Sequence, residues 1–492
     1  MKIQCIHAAV LALTMACAAA GAQTKTPEPS SAPAAAAPHP KTQYRDALRL
    51  IDLWLDAQQA YDRIPGLSAG VVAGDDLIWS KGYGTIDIKG KVPAASDTIY
   101  SVCSISKLFT SVAVMQLWEQ GKLRLDDDIG AVLPDFAIRR TAPDGAPLTI
   151  RSLLTHSSGL PRESDFPYWT GPDFTFPTRT QLQEKLKEQP MLMPASDRFQ
   201  YSNLGMALLG EIVAKVSGMP YDDYVRRHIL DPLKLADTRT RMPTELYGKR
   251  LAHGFSALRR DGTRNPVKPF EINAITPAAG FSSTVEDLAR FASWQFRLLD
   301  GGAAEILRPS TLREMQRVQW IDPDGKTTWG LGFAVTRDGN KTYVGHGGSC
   351  PGYRTALTMM PADKLGVIFM SNAMVETSAY VRPLRKLLDK GKKLEPAKID
   401  LETYAGRYVA QPWNGETVIV PWGAHLAVLD LPNNDPAGDM TVLKHVGNDT
   451  FRRLRDDESL AEEVVFERGA DGKIARMRWH SNVSGRLGGL TE

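Results

Sequence analysis

Ser104-Ile105-Ser106-Lys107 is the stretch on which the reading of this chain turns, and it is the chain's one S-x-x-K. Residues Leu108 to Gln120 follow without a proline and with a broad apolar face, the pattern of a helix. Positions i and i+3 share a helix face, so Lys107 stands beside Ser104, one turn in. A lysine amine next to a serine hydroxyl can take its proton when desolvation lowers the amine's pKa. A helix N-terminus also favours the anion that develops there. A serine at a helix start is otherwise an ordinary N-cap, so the motif gains meaning from what accompanies it.

Two further patterns accompany it. Tyr201-Ser202-Asn203 is the chain's one Y-x-N and precedes Leu204 to Gly210, which reads as a buried helix. His346-Gly347-Gly348-Ser349 lies on an expected strand, where small residues let a substrate backbone lie along the edge. Taken singly, Tyr201 reads as a hydrogen-bonded core tyrosine and His346 as a satisfied strand histidine. A competing serine signature, Gly66-Leu67-Ser68-Ala69-Gly70, fits the G-x-S-x-G elbow. That elbow needs a strand turning into a helix, whereas Ala69 to Ala73 runs on into a hairpin turn at Gly74-Asp75-Asp76.

Composition bounds the rest. The 492 residues are 43% hydrophobic and 23% charged, which excludes a disordered chain, a collagen and a coiled-coil rod. Lys plus Arg number 59 against 56 Asp plus Glu, for a net charge of +3 and no long basic run, so no nucleic-acid partner is expected. Four cysteines without a CxxC pair, and no HExxH, leave a metal site without support.

Residues 1–22 read as a signal peptide, with Lys2, an uncharged run from Ala8 to Ala20, and the small residues Ala20-Gly21-Ala22. That run is too short to cross a bilayer, and no later run suffices, so no integral membrane span is expected. The expected location is periplasmic or secreted after cleavage. The alternative is a lipoprotein anchored at Cys17, although Thr14 sits where a lipoprotein box has a large aliphatic residue.

Residues 23–42 are rich in Pro and Ala and read as a linker. The main domain is expected over 43–390. It opens with an amphipathic helix carrying Leu48, Ile51, Trp54 and Leu55, then has strands at 67–73 and 77–83. A mostly helical middle follows, then strands at 341–346, 353–360 and 365–371, and a helix over 377–390. This α+β order predicts an antiparallel sheet closed by its first and last segments, beside a helical lobe. Residues 391–399 read as a polar linker. Residues 400–492 alternate apolar and polar positions between turns, as a separate small all-β barrel does.

The three motifs in this order resemble the serine β-lactamase and penicillin-recognising hydrolase superfamily. The likeness is to the group of class C β-lactamases, DD-carboxypeptidases, D-aminopeptidases and esterases. Flanking text agrees: Leu153-Leu154-Thr155-His156-Ser157-Ser158-Gly159-Leu160-Pro161, Gly280-Phe281-Ser282-Ser283, and Pro351-Gly352-Tyr353-Arg354 after Ser349. Residues 400–492 resemble the lipocalin-like barrel appended to some members.

The resemblance implies a β-lactamase/transpeptidase-like fold and an acyl-enzyme at Ser104, with no metal or cofactor needed. Lys107 and Tyr201 would share the proton work, with Tyr201 losing its proton easily near cations. Asn203 would orient substrate and Lys107. His346 stands where many relatives have Lys; it would position Tyr201 and help hold a substrate carboxylate or carbonyl. The N–H groups of Ser104 and Ser349 would form an oxyanion hole beside Gly347 and Gly348. A neutral histidine in place of a fixed cation, and the added barrel, favour short D-amino-acid peptides or esters as substrates over β-lactams. An inactive binding protein that kept the fold is a further alternative, and oligomeric state is open.

Two expectations concern the surroundings. Residues from Arg162 to Thr180 carry five aromatics, among them Tyr168 and Trp169, expected to wall the substrate cleft. Cys103 precedes the nucleophile, and Cys350 follows Ser349. In a fold of this kind the third-motif strand runs past the nucleophile helix, which implies a disulfide between them; two buried free thiols are the alternative.

Overall fold

The structure is a computed structural model that describes residues 39–141, 145–392 and 394–487. The expected signal peptide, Cys17 and most of the 23–42 linker lie outside the described residues. The end of that linker is helical rather than extended. Pro40–Gln43 forms one turn, with the His39 ring accepting from the Lys41 N–H and the His39 carbonyl accepting from Thr42 and Gln43.

Helix α1 (Arg45–Tyr61) buries Leu48, Ile51, Trp54 and Leu55, the stripe its periodicity requires. Strands β1 (Gly66–Ala73) and β2 (Asp76–Gly84) form the expected hairpin. Ser68 lies inside β1, buried, with its hydroxyl on Tyr100 Oη and the Ala95 carbonyl, so the elbow signature is a packed strand.

Helices α2 (Ser106–Glu119), α3 (Asn203–Ser217) and α4 (Val285–Leu299) come next, followed by the remaining strands. These are β3 (Trp320–Ile321), β4 (Thr328–Trp329), β5 (Ala334–Asp338), β6 (Lys341–Cys350), β7 (Tyr353–Met360) and β8 (Leu365–Ser371). Helix α5 (Ser378–Gly391) closes the domain. The sheet runs β2-β1-β8-β7-β6-β5-β4-β3, antiparallel throughout, so the first and last segments of the domain are neighbours at β1 and β8. Both faces of β1 and β8 are buried, which explains their unbroken apolar runs. Helix α4 and the helical lobe cover one face, and α1 and α5 cover the other.

The C-terminal strands form a meander: β9 (Gly406–Val409), β10 (Glu416–Trp422), β11 (His425–Leu431), β12 (Thr441–Gly447), β13 (Thr450–Leu454), β14 (Leu460–Arg468), β15 (Ile474–Trp479) and β16 (Asn482–Gly485). A bridge between Tyr408 and Arg486 nearly closes it into a barrel. Tyr404, Tyr408, Phe451 and Phe466 fill its interior with packed aromatic edges, so the barrel is a core rather than a ligand cup.

The barrel is not separate. Val418, Val420, Trp422, Leu429 and Leu431 on the outer face of β10 and β11 join α1, α5 and the back of the main sheet in one buried cluster. Trp54 Nε1 donates to the Asn433 carbonyl at 2.8 Å, and the Gly423 N–H donates to Asp46 Oδ2 at 2.7 Å. The apolar residues on both faces of β10 have this cause: one set faces the barrel interior, the other faces α1.

Candidate active site

The chain reverses sharply before α2. Cys103 has φ +50°, a left-handed conformation uncommon outside glycine, in a 3-10 turn spanning Cys103–Ile105. Such strain, of order 1–3 kcal/mol, persists where the surroundings over-determine it. Here Ser106 Oγ accepts from the Phe281 N–H at 2.9 Å and donates to the Cys103 carbonyl at 2.5 Å. Cys103 is also bonded to Cys350 of β6, with the Cα atoms 5.7 Å apart. The strand approaches this turn closely: a Cβ on Gly348 would lie 2.3 Å from the Val102 carbonyl, so only glycine fits.

Lys107 is wholly buried, and its Nζ donates to three acceptors: Asn203 Oδ1 at 2.7 Å, the Ala278 carbonyl at 2.8 Å and Ser104 Oγ at 3.0 Å. Desolvation holds its amine well below the ordinary lysine value; the Glu163 charge opposes this, and Arg162 adds to it. The Ala278 and Asn203 oxygens can only accept. When the amine is neutral, its two N–H bonds go to them and its lone pair is left facing the Ser104 hydroxyl. That is the geometry of a general base on a nucleophile.

Asn203 begins α3, and its orientation is set from behind. Its Nδ2 donates to Glu163 Oε1 at 2.5 Å, so its oxygen must face Lys107. Glu163 also accepts from Tyr168 Oη and pairs with Arg162 at 3.3 Å.

Tyr201 packs beside this group, with Lys107 Nζ 4.9 Å and the Arg162 guanidinium 4.8 Å from its ring centre. Burial pushes its hydroxyl up, and this outweighs the pull of Ser104 and Arg162 in the other direction. Burial thus opposes the ready ionisation expected of Tyr201, because it desolvates the phenolate. A protonated Tyr201 hydroxyl can donate, and a neutral Lys107 amine can accept.

His346 is buried on β6, its ring centre 6.1 Å from that of Tyr201. Burial, then the Lys107 charge, push its pKa down to about 3. Its Nδ1–H donates to the Gly347 carbonyl at 2.6 Å, which leaves Nε2 as an acceptor without a partner among the described residues. The expected help in holding a carboxylate needs a charge that burial removes. His346 and Gly348 face Ser104, whereas Gly347 and Ser349 alternate outward and are exposed. Pairing between β5 and β6 ends at Gly345, so the edge carrying Ser349 is uncovered on that side.

The aromatic loop has a different place from the one expected. Tyr168 is 1% exposed, packed against Trp169 and Phe176, and touches the site only through its hydroxyl on Glu163. Trp169 is half-buried edge-on to Phe176. These rings close the helical lobe, because the loop folds its aromatics onto each other and onto Phe270.

Four contributors escaped sequence reasoning: Glu163, Arg162, Ala278 and His156. His156 is wholly buried with its ring 4.4 Å from Tyr201, and Nδ1 accepts from the Ser202 N–H at 3.2 Å. It lies within the flanking text around Leu160-Pro161, and Glu163 follows two residues later. Ala278 acts through its backbone, which leaves no residue-type signal.

An antiparallel sheet with a helical lobe and a buried Ser-Lys pair at their junction defines the penicillin-recognising serine hydrolase class. Residues 51–390 match the Beta-lactamase family, and the chain belongs to that family, whose members are serine hydrolases. It is 30% identical to Beta-lactamase-like protein 2 of Dictyostelium discoideum over 324 residues, 64% of this chain and 57% of that protein. The chain thus spans less than two thirds of that relative's length. It is 28% identical to Penicillin-binding protein 4 of Amycolatopsis lactamdurans over 374 residues, 72% of this chain and 95% of that protein. Among solved structures, a D-stereospecific amidohydrolase from Streptomyces sp. is similar with a TM-score of 0.55 and 26% identity, covering 67% of this chain and 94% of that one.

Proposed function

We propose that this protein is an exported serine hydrolase that forms an acyl-enzyme at Ser104 and acts on short D-amino-acid peptides or esters. The observation that carries the reading is the buried Lys107 amine, whose neutral form keeps its lone pair for the Ser104 hydroxyl. In the acylation step Ser104 Oγ bonds to the substrate carbonyl carbon while its proton passes to Lys107. The leaving nitrogen or oxygen takes the proton of Tyr201 Oη, which Lys107 then restores. Water then attacks the ester carbonyl carbon and gives a proton to Lys107, which passes it to Ser104 Oγ as the acyl–Oγ bond breaks. The uncovered edge of β6 suits an extended peptide laid as an added strand. The likeness to a D-stereospecific amidohydrolase supports amides of D-amino acids. A neutral His346 offers no charge for the carboxylate of a β-lactam, which weighs against efficient β-lactam hydrolysis.

The test is incubation of the full chain with a fluorophosphonate probe and with labelled penicillin, followed by mass spectrometry of the Ser104 peptide. Labelling by the fluorophosphonate alone supports an esterase or aminopeptidase. Labelling by both, with slow release of penicillin, supports a carboxypeptidase. Rapid penicillin turnover would replace the reading with a β-lactamase, and no labelling of Ser104 would leave a binding protein.

A further inference from the structure

The face of the main sheet turned away from Ser104 carries a second concave site. A cavity of about 700 Å³ lies between β5, β6 and α5, lined by Arg337 of β5 and by Arg382, Arg385 and Lys386 of α5. Gly347 reaches it from β6, one residue from His346 on the opposite face. Asp338 is the one carboxylate of the lining.

Arg385 is the informative residue. Its guanidinium lies 3.7 Å from the centre of the Tyr343 ring, and its side chain is 16% exposed. Its Nε is buried without a hydrogen-bond partner among the described residues. Its Nη2 forms an ion pair with Asp338 at 3.6 Å, a separation too long for a hydrogen bond. A guanidinium has five N–H donors and accepts nothing, so one that is mostly buried and makes no hydrogen bond among the described residues is costly. Stacking on Tyr343 fixes the fork in place before anything binds. Arg337 and Arg382 enter no ion pair among the described residues, and Lys386 pairs with Asp435 at 2.9 Å. Gathering this much positive charge in one cavity is unfavourable by itself and becomes favourable around an anion.

We propose that this cavity binds a multiply charged oxyanion, a ligand bearing phosphate groups or several carboxylates. Arg385 provides the desolvated fork, and Arg337 and Arg382 grip the ligand at the rim.

Calorimetric titration of the full chain with inorganic pyrophosphate and with citrate tests it, and tells phosphate from carboxylate recognition. One saturable site for either probe is expected, weakened by roughly tenfold or more in Arg382→Glu, because a charge-assisted contact becomes a repulsion. Arg337→Glu should weaken it likewise, and both variants should keep wild-type labelling of Ser104 by the fluorophosphonate. Arg382 and Arg337 are exposed, so these variants fold even where Arg385→Gln, which loses the stack on Tyr343, does not. The proposal is overturned by the absence of saturable binding of both probes up to about 10 mM. It is equally overturned by binding that neither charge reversal changes.

Discussion

Glu163 Oε1 accepts a 2.5 Å hydrogen bond from the Asn203 amide nitrogen, and this contact turns the amide oxygen of Asn203 toward Lys107. The carboxylate thus governs the base from one residue away, by orienting its acceptor and by its charge. The charge favours the ammonium and so raises the Lys107 pKa against the stronger effect of burial. Glu163→Gln removes it, so the acid limb of the kcat/KM profile, which reports Lys107 losing its proton, should move to lower pH. Gln can still accept from Asn203, so plateau activity should fall by no more than about tenfold. A limb that moves to higher pH would show that Lys107 is not the group being titrated.

Tyr201→Phe should lower turnover by about 10²–10⁴, the range for a lost proton donor. Because the Tyr201 hydroxyl is held protonated, the loss should be greater for amides, whose leaving nitrogen needs a proton, than for activated esters. Single-turnover acylation rates with a matched amide and ester measure the difference. Equal losses on both would remove Tyr201 from the proton path.

Acid should destabilise the fold. Burial holds His156 and His346 below the ordinary histidine value, whereas the unfolded chain titrates both near 6.5. Below that pH the unfolded chain binds protons that the folded chain does not, so stability falls as pH falls. For His346 the window runs from about 6.5 down to about 3, with a slope of about 1.4 kcal/mol per pH unit where the mismatch is complete. Urea midpoints taken from about pH 7 down to about pH 4 should drop, and the drop should be shallower in His346→Gln. A flat profile would mean that the histidines charge in place.

The Cys103–Cys350 bond closes a separation of 247 residues, which the chain-entropy model values at roughly 5 kcal/mol. It also ties the strained turn at Cys103 to β6. A Cys103→Ser, Cys350→Ser double variant should therefore lose both thermal stability and acylation rate. Unchanged acylation alongside a lowered melting temperature would make the bond a staple alone.

Removal of the barrel should not release a soluble hydrolase. Val418, Val420, Trp422 and Leu429 share a core with α1, so a chain ending at residue 392 would expose the apolar face of that helix. Expression of residues 39–392 should give aggregated protein. Within the full chain, Trp54→Phe leaves the Asn433 carbonyl without its donor and should cost about 1–3 kcal/mol.

Where the pattern is local, the sequence was readable. The stripe of Leu48, Ile51, Trp54 and Leu55 announced α1, and the runs at 67–73 and 365–371 announced β1 and β8. The short strands β9, β13 and β16 went unread, because each holds only four or five residues and owes its form to its neighbours. The aromatics of residues 162–180 show a related limit, since Tyr168 and Phe176 are buried against each other. A proline-rich loop full of rings looks the same whether it opens onto a cleft or folds on itself.

By itself the sequence determined the spacing of Ser104 and Lys107, the order of the three motifs and the alternation of the strands, since these depend on backbone periodicity alone. Tertiary structure decided which charges survive. Lys107, Tyr201 and His346 have ordinary side chains whose protonation is set by burial and by partners tens to hundreds of residues away, such as Asn203 and Ala278. Desolvation depends on what surrounds a group in space, and no linear pattern records that.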